Sequence, residues 1–133
     1  KKGIMGHRLL VVDDDKETAQ QLKARLIKEG YEVELAFDGE QALQKVKDFN
    51  PDIVTLDLIM PRINGFEALK EIREKYKDKW RPVIIISAKS ELESLRKCYD
   101  LEADHYITKP FTIETLLDGV KLMISLIPAR RKE

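Results

Sequence analysis

Five short apolar runs, each followed by a polar or acidic residue, constrain this chain more than any other feature. They are Leu9-Leu10-Val11-Val12, Val33 to Phe37, Ile53-Val54-Thr55-Leu56, Val83-Ile84-Ile85-Ile86 and the brief His105-Tyr106-Ile107. Their hydrophobicity is continuous rather than alternating, most clearly in the first and fourth. That predicts strands covered on both faces, as in a parallel sheet. Between and after the runs lie amphipathic segments with helical spacing. Ala19, Leu22 and Leu26 mark the first, and Ala42, Leu43 and Val46 the second. Phe66, Leu69 and Ile72 mark the third, and Leu92, Leu95 and Tyr99 the fourth. Ile113, Leu116, Leu117, Val120 and Ile124 mark the last.

Cap signals support these boundaries. Asp38 precedes Gln41, Asn64 precedes Glu67 and Ser90 precedes Glu93, each at capping-box spacing. Gly30 stands where a helix should stop, and Pro51 and Pro82 punctuate the entries to the third and fourth strands. The pattern is an α/β (βα)5 unit without repeats, low-complexity tracts or internal linkers. Right-handed crossovers and coverage of both faces predict an open, doubly wound, five-stranded parallel sheet. Five units are too few for an eight-fold barrel.

The 133 residues suit one domain and one core. The expected domain is residues 8–127, with 1–7 as an N-terminal tail and 128–133 as a C-terminal tail or the start of a linker. The chain starts at Lys1 and ends in Pro128-Ala129-Arg130-Arg131-Lys132-Glu133, which reads as a fragment of something longer. The lone Cys98 can make no internal disulfide and reads as a helix packing residue in a reducing, cytoplasmic setting. The 24 basic and 24 acidic side chains cancel, so no global field recruits nucleic acid or an anionic membrane. No apolar stretch approaches the roughly 18 residues of a membrane span.

In such sheets the ligand site lies beyond the carboxyl ends of the strands, where the winding reverses. The residues standing there are Asp13, Asp14 and Asp15, then Asp57, then Ser87, then Thr108-Lys109-Pro110. If the first and third strands are neighbours, Asp13, Asp14 and Asp57 converge. Converging carboxylates repel unless a cation sits among them. A hard, oxygen-seeking ion such as Mg²⁺ suits them, and Mn²⁺ is the alternative. Lys109 adds a positive charge from across the pocket, and Ser87 a hydroxyl. A carboxylate nucleophile, a metal and a lysine are the parts that phosphoryl transfer needs.

The runs Leu10-Val11-Val12-Asp13-Asp14-Asp15, Leu56-Asp57-Leu58-Ile59-Met60-Pro61 with Gly65, Ser87-Ala88, and Tyr106-Ile107-Thr108-Lys109-Pro110-Phe111 resemble the receiver domains of two-component response regulators. The resemblance covers about residues 8 to 127 and keeps the motifs in family order. It implies the flavodoxin-like strand order 2-1-3-4-5. It implies Asp57 as phosphoacceptor, with Asp13, Asp14, Asp57 and the Ile59 backbone carbonyl as ligands of Mg²⁺. Lys109 matches the lysine that contacts the phosphoryl oxygens, and Ser87 the hydroxyl that bonds the phosphoryl group and shifts on activation. Tyr106 matches the aromatic switch, and Pro110 follows a peptide bond that is usually cis in the family. The implied partners are a sensor histidine kinase or phosphotransfer protein, with an effector domain after residue 133. A homodimer would use the face made by the fourth segment, the fifth strand and the last segment. Neither membrane nor direct nucleic-acid binding is expected of the domain.

Four positions depart from the family pattern: Ser87 for the commoner threonine, Asn64 for aspartate, Glu102 for glycine, and His105 for an acidic or small residue. Asp14 taken alone reads as a cap for the first helix, because Glu17 lies three residues on. Three aspartates exceed what a cap needs, so Asp13 and Asp14 are assigned to metal and Asp15 to capping or solvent. His7 and His105 lack a second His or Cys at ligand spacing. A haloacid-dehalogenase-type phosphatase could use Asp13 and Asp15, but Glu17 stands where Thr or Val is expected. A pseudo-receiver usually lacks one of the acids or the lysine. A nucleotide-binding flavodoxin-like domain lacks support, since no phosphate loop follows the first strand. The expected behaviour is a phosphoacceptor switch rather than an enzyme with turnover.

Overall fold

The strands are β1 (Arg8–Val12), β2 (Glu32–Ala36), β3 (Ile53–Asp57), β4 (Val83–Ala88) and β5 (His105–Lys109). The helices are α1 (Lys16–Lys28), α2 (Gly39–Phe49), α3 (Gly65–Lys75) and α4 (Ile113–Arg131). The computed structural model describes residues 6–58, 65–88, 91 and 103–131. The fourth amphipathic segment, with Leu92, Leu95, Cys98 and Tyr99, lies outside the described residues, as do Ile59, Asn64, Ser90 and Glu102.

All four strand pairings are parallel, in the order β2-β1-β3-β4-β5. Alternate residues of each strand serve opposite faces. Leu9, Val11, Ile53, Ile84 and Ile86 pack with α1 and α4. Leu10, Val12, Val54, Leu56, Val83 and Ile85 pack with α2 and α3. Both faces are therefore apolar, which explains the continuous runs. Three strands extend further than hydrophobicity suggests. Asp57 pairs with Ile86, Ser87 with Thr108 and Ala88 with Lys109, so backbone pairing carries the strands through polar residues.

Local chemistry sets the helix ends. α1 closes with the Gly30 N–H donating to the Ile27 carbonyl and the Tyr31 N–H to the Leu26 carbonyl, 2.9 and 3.2 Å. That is a Schellman motif, and Gly30 supplies its positive φ of 104°. Asp38 caps α2 by accepting from the Gln41 N–H at 2.8 Å. The Gln41 side chain reaches back to the Phe37 N–H rather than to Asp38 itself.

The last helix runs past residue 127, the expected end of the domain. Pro128 lies inside α4, and the helix runs on to Arg131. Proline removes one helical hydrogen bond, but tertiary contacts hold the last turn. Arg131 donates from Nε to the Trp80 carbonyl at 2.7 Å and from Nη1 to Asp52 Oδ1 at 3.2 Å. Arg130 stacks 4.2 Å from the Trp80 ring centroid.

Asp52 anchors this rim of the sheet. It also accepts from the Arg8 N–H at 2.9 Å and from Lys79 at 3.2 Å. Burial pushes its pKa up, but the Arg8 N–H, the Lys79 charge and Arg131 outweigh that and hold it down at about 2. The folded carboxyl is thus more acidic than its unfolded value of 3.8. Its contribution, on the order of 2 kcal/mol, is fully present above the unfolded pKa and is lost as pH falls through the folded one. The stability gap between wild type and Asp52→Asn, measured by urea unfolding, is expected near that size at neutral pH. It should shrink between pH 4 and pH 2 (about two pH units, set by the two pKa values). A gap that persists unchanged at the acid end would refute the assignment.

Candidate functional site

The carboxyl ends of β1, β3 and β5 bring four charged side chains together. β1 and β3 are direct neighbours, so Asp13, one residue past β1, meets Asp57 at the end of β3. One carboxylate oxygen from each of Asp13, Asp14 and Asp57 lies within 4.8 Å of the others. Lys109, last in β5, reaches past β4 to place Nζ 3.1 Å from Asp57 Oδ2. Asp13 and Asp57 are buried, while Asp14 is exposed. An open cleft of about 660 Å³ joins these residues to Asp15, Thr18 and Phe111.

The three aspartates divide their work. Asp15 is the N-cap of α1 and accepts from the Glu17 N–H at 3.2 Å and the Thr18 hydroxyl at 2.7 Å. Those bonds hold its pKa below the usual carboxylate range, Thr18 foremost. Its own N–H donates to Asp13 Oδ1 at 2.9 Å. Asp14 is therefore not the cap, and the phosphatase pairing of Asp13 with Asp15 finds Asp15 committed to the helix. Thr18 had no place in the sequence reading. Its position three residues after Asp15 was the available signal.

Electrostatics follow from this crowding. Burial raises the Asp13 pKa, the Asp15 N–H opposes that, and the Asp57 charge adds to the rise. Burial acts to lower the Lys109 pKa, but Asp57, Asp13 and Asp14 together raise it above the ordinary lysine value. Lys109 is thus a firm cation facing an excess of acid.

Gly65 fits its place because it lacks a side chain. A Cβ there would sit 2.5 Å from Leu58 Cα and 2.6 Å from the Asp57 carbonyl oxygen. Its N–H donates to the Leu58 carbonyl at 2.9 Å. The start of α3 is thereby packed directly on the backbone that carries Asp57. Gly65→Ala must push backbone from backbone, with an expected cost of about 1–3 kcal/mol. Urea unfolding should show that loss; an unchanged midpoint would mean the contact relaxes freely.

Two further sequence candidates lie on β4 and β5. Ser87 is buried near the end of β4, its hydroxyl donating to the Ala88 carbonyl at 3.2 Å. Tyr106 lies on the edge strand and is 38% exposed. The Lys109–Pro110 bond is cis. The Ile59 carbonyl lies outside the described residues.

With this arrangement in view, the family model for the response regulator receiver domain matches residues 9–121. The chain belongs to this family. As a receiver domain it is 40% identical over 116 residues to response regulator RR06 of Streptococcus pneumoniae. That match takes in 87% of this chain and 52% of the relative, so the chain spans about half the relative's length. The Francisella response regulator 1452 receiver domain superposes with a TM-score of 0.80 at 35% identity, covering 89% of this chain and 96% of that one. NtrX from Brucella abortus gives 0.88 at 28% identity, over 96% of this receiver domain and 29% of the NtrX chain. Among the described residues no helix is long and apolar enough to cross a membrane.

The acid pair makes a prediction of its own. Removing one carboxylate relieves repulsion in the metal-free receiver domain. Asp13→Ala is expected to lose Mg²⁺ affinity, read by titration, while its metal-free unfolding midpoint holds or rises. Clear destabilisation with unchanged Mg²⁺ binding would return Asp13 to a purely structural role.

Proposed function

We propose that this receiver domain is a phosphorylation-dependent switch that accepts a phosphoryl group on Asp57. The observation that carries the reading is the Lys109 ammonium 3.1 Å from Asp57, with Asp13 and Asp14 oxygens within 4.8 Å. The donor set fits a hard divalent ion: three carboxylates face one lysine, and their excess negative charge calls for a further cation. Asp13, Asp14, Asp57 and the Ile59 carbonyl would hold Mg²⁺, with Mn²⁺ as a substitute. When bound, the ion supplies charge neutralisation for phosphoryl oxygens.

The chain's own groups do the rest. An Asp57 carboxylate oxygen attacks the phosphorus of a phosphohistidine on a sensor kinase or phosphotransfer protein. The P–N bond breaks, imidazole leaves with the electron pair, and an acyl phosphate remains on Asp57. Lys109 stays protonated through the reaction, since its acidic neighbours raise its pKa, and balances the incoming charge. Ser87 can exchange the Ala88 carbonyl for a phosphoryl oxygen, and Tyr106 can then turn inward. The face around β5, α4 and the fourth amphipathic segment thereby changes for an effector or a second copy. The group is gained once and lost slowly, without substrate turnover.

Incubation with acetyl phosphate and Mg²⁺ tests the reading by intact mass. One adduct, labile to base and hydroxylamine and mapped to Asp57, is expected, and chelator should prevent it. An adduct that forms equally well in chelator, or at another residue, would sink the proposal.

A further inference from the structure

The molecule has a second concave site at the opposite rim of the sheet. A cleft of about 620 Å³ is walled by the end of α3, the entries to β4 and β5, and the last turn of α4. Four of its lining residues are cationic (Arg73, Lys77, Lys79 and Arg130) and one, Asp104, is acidic. Asp104 is already engaged by Arg73 and by the Val83 N–H. Lys79 must share Asp52 with Arg131. Lys77 is exposed and has no acidic partner among the described residues, and Arg130 stacks on Trp80. Over the whole chain charges cancel, yet acid gathers at the phosphoacceptor end and base at this one.

The walls add aromatic surface from Tyr76 and Trp80. The Trp80 indole nitrogen is buried without a hydrogen-bond partner among the described residues, a donor left unsatisfied in a lining residue. The volume falls within the roughly 300–1,000 Å³ typical of small-ligand pockets. Grouped guanidinium and ammonium ions favour phosphate oxygens.

We propose that this cleft binds a compact organic polyanion, a nucleotide-sized phosphate ester held by Lys77, Lys79 and Arg130 with its apolar body against Tyr76 and Trp80. The site is separate from the carboxylate cluster and independent of phosphorylation chemistry. A concave pocket closed by four elements suits such a molecule better than an extended acidic peptide, which is the competing occupant.

The test uses the full chain in chelator, so that the carboxylate cluster takes no Mg²⁺-bound ligand. ATP, pyrophosphate, adenosine and a hexaglutamate peptide are titrated by calorimetry, with Trp80 fluorescence as a local reporter. Trp80 is the chain's single tryptophan, so its signal reads this cleft alone. ATP is expected to bind at one site, more tightly than pyrophosphate or adenosine and more weakly as salt rises. The double variant Lys77→Glu, Arg130→Glu, altered at two exposed positions, should bind about tenfold or more weakly and still accept a phosphoryl group from acetyl phosphate. Asp57→Asn should bind ATP as wild type does. No saturable binding below about 1 mM, equal binding by the charge-reversed variant, or tighter binding of hexaglutamate than of ATP would each overturn the proposal.

Discussion

Asp57→Asn protein, given acetyl phosphate and Mg²⁺, is expected to carry no acyl phosphate while remaining fully folded. An amide oxygen keeps its lone pairs but lacks the negative charge that makes the carboxylate a nucleophile. The structure separates this chemical loss from a loss of fold. Asp57 faces Asp13 and Asp14, so removing its charge relieves repulsion, and the burden that Asp57 places on Asp13 disappears. Lys109 loses one acidic partner but keeps the influence of Asp13 and Asp14. Urea unfolding should therefore give a midpoint at or above wild type, beside labelling reduced to background. Persistent full labelling would move the acceptor elsewhere; collapse of the fold would show that the Asp57–Lys109 pair is structural.

The second large effect lies far from that site. Arg81 is 1% exposed, the largest fully buried side chain among the described residues. It donates from Nε to the Pro51 carbonyl at 2.8 Å, from Nη1 to the Tyr76 carbonyl at 2.9 Å, and from Nη2 to Asn50 Oδ1 at 2.7 Å. One side chain thus ties the left-handed end of α2 (Asn50, φ 52°) to the segment after α3 and the approach to β4. Arg81→Met keeps much of the volume and removes every donor. Stranded buried acceptors each cost about 1–3 kcal/mol, so a total loss of about 3–5 kcal/mol is expected. Against the roughly 5–15 kcal/mol of a whole domain, that is severe. A useful contrast is Arg25→Ala, whose half-exposed pairing with Glu29 at 3.9 Å should be worth well under about 1 kcal/mol. Comparable losses for the two variants would overturn this ranking.

Much of this molecule was legible in the chain itself. Parallel strands buried on both faces leave continuous apolar runs, and the helices leave residues such as Ala19, Leu22 and Leu26 at their core positions. Because ligand sites in such sheets collect at strand ends, Asp13, Asp14, Asp57 and Lys109 could be named before any geometry was known. Local capping was equally readable at Asp38 and Gly30, since it depends on neighbours only a few residues away. What tertiary structure alone decided involves partners distant in sequence. α4 continues through Pro128 because Arg131 finds Asp52, 79 residues earlier. The sequence around Arg81 carries no signal of its burial, which three chain segments create by closing around it, and Gly65 was a motif glycine until the Asp57–Leu58 backbone came within contact distance. Periodicity and capping are written within a few residues of chain, whereas buried charges and close backbone approaches are written only in space.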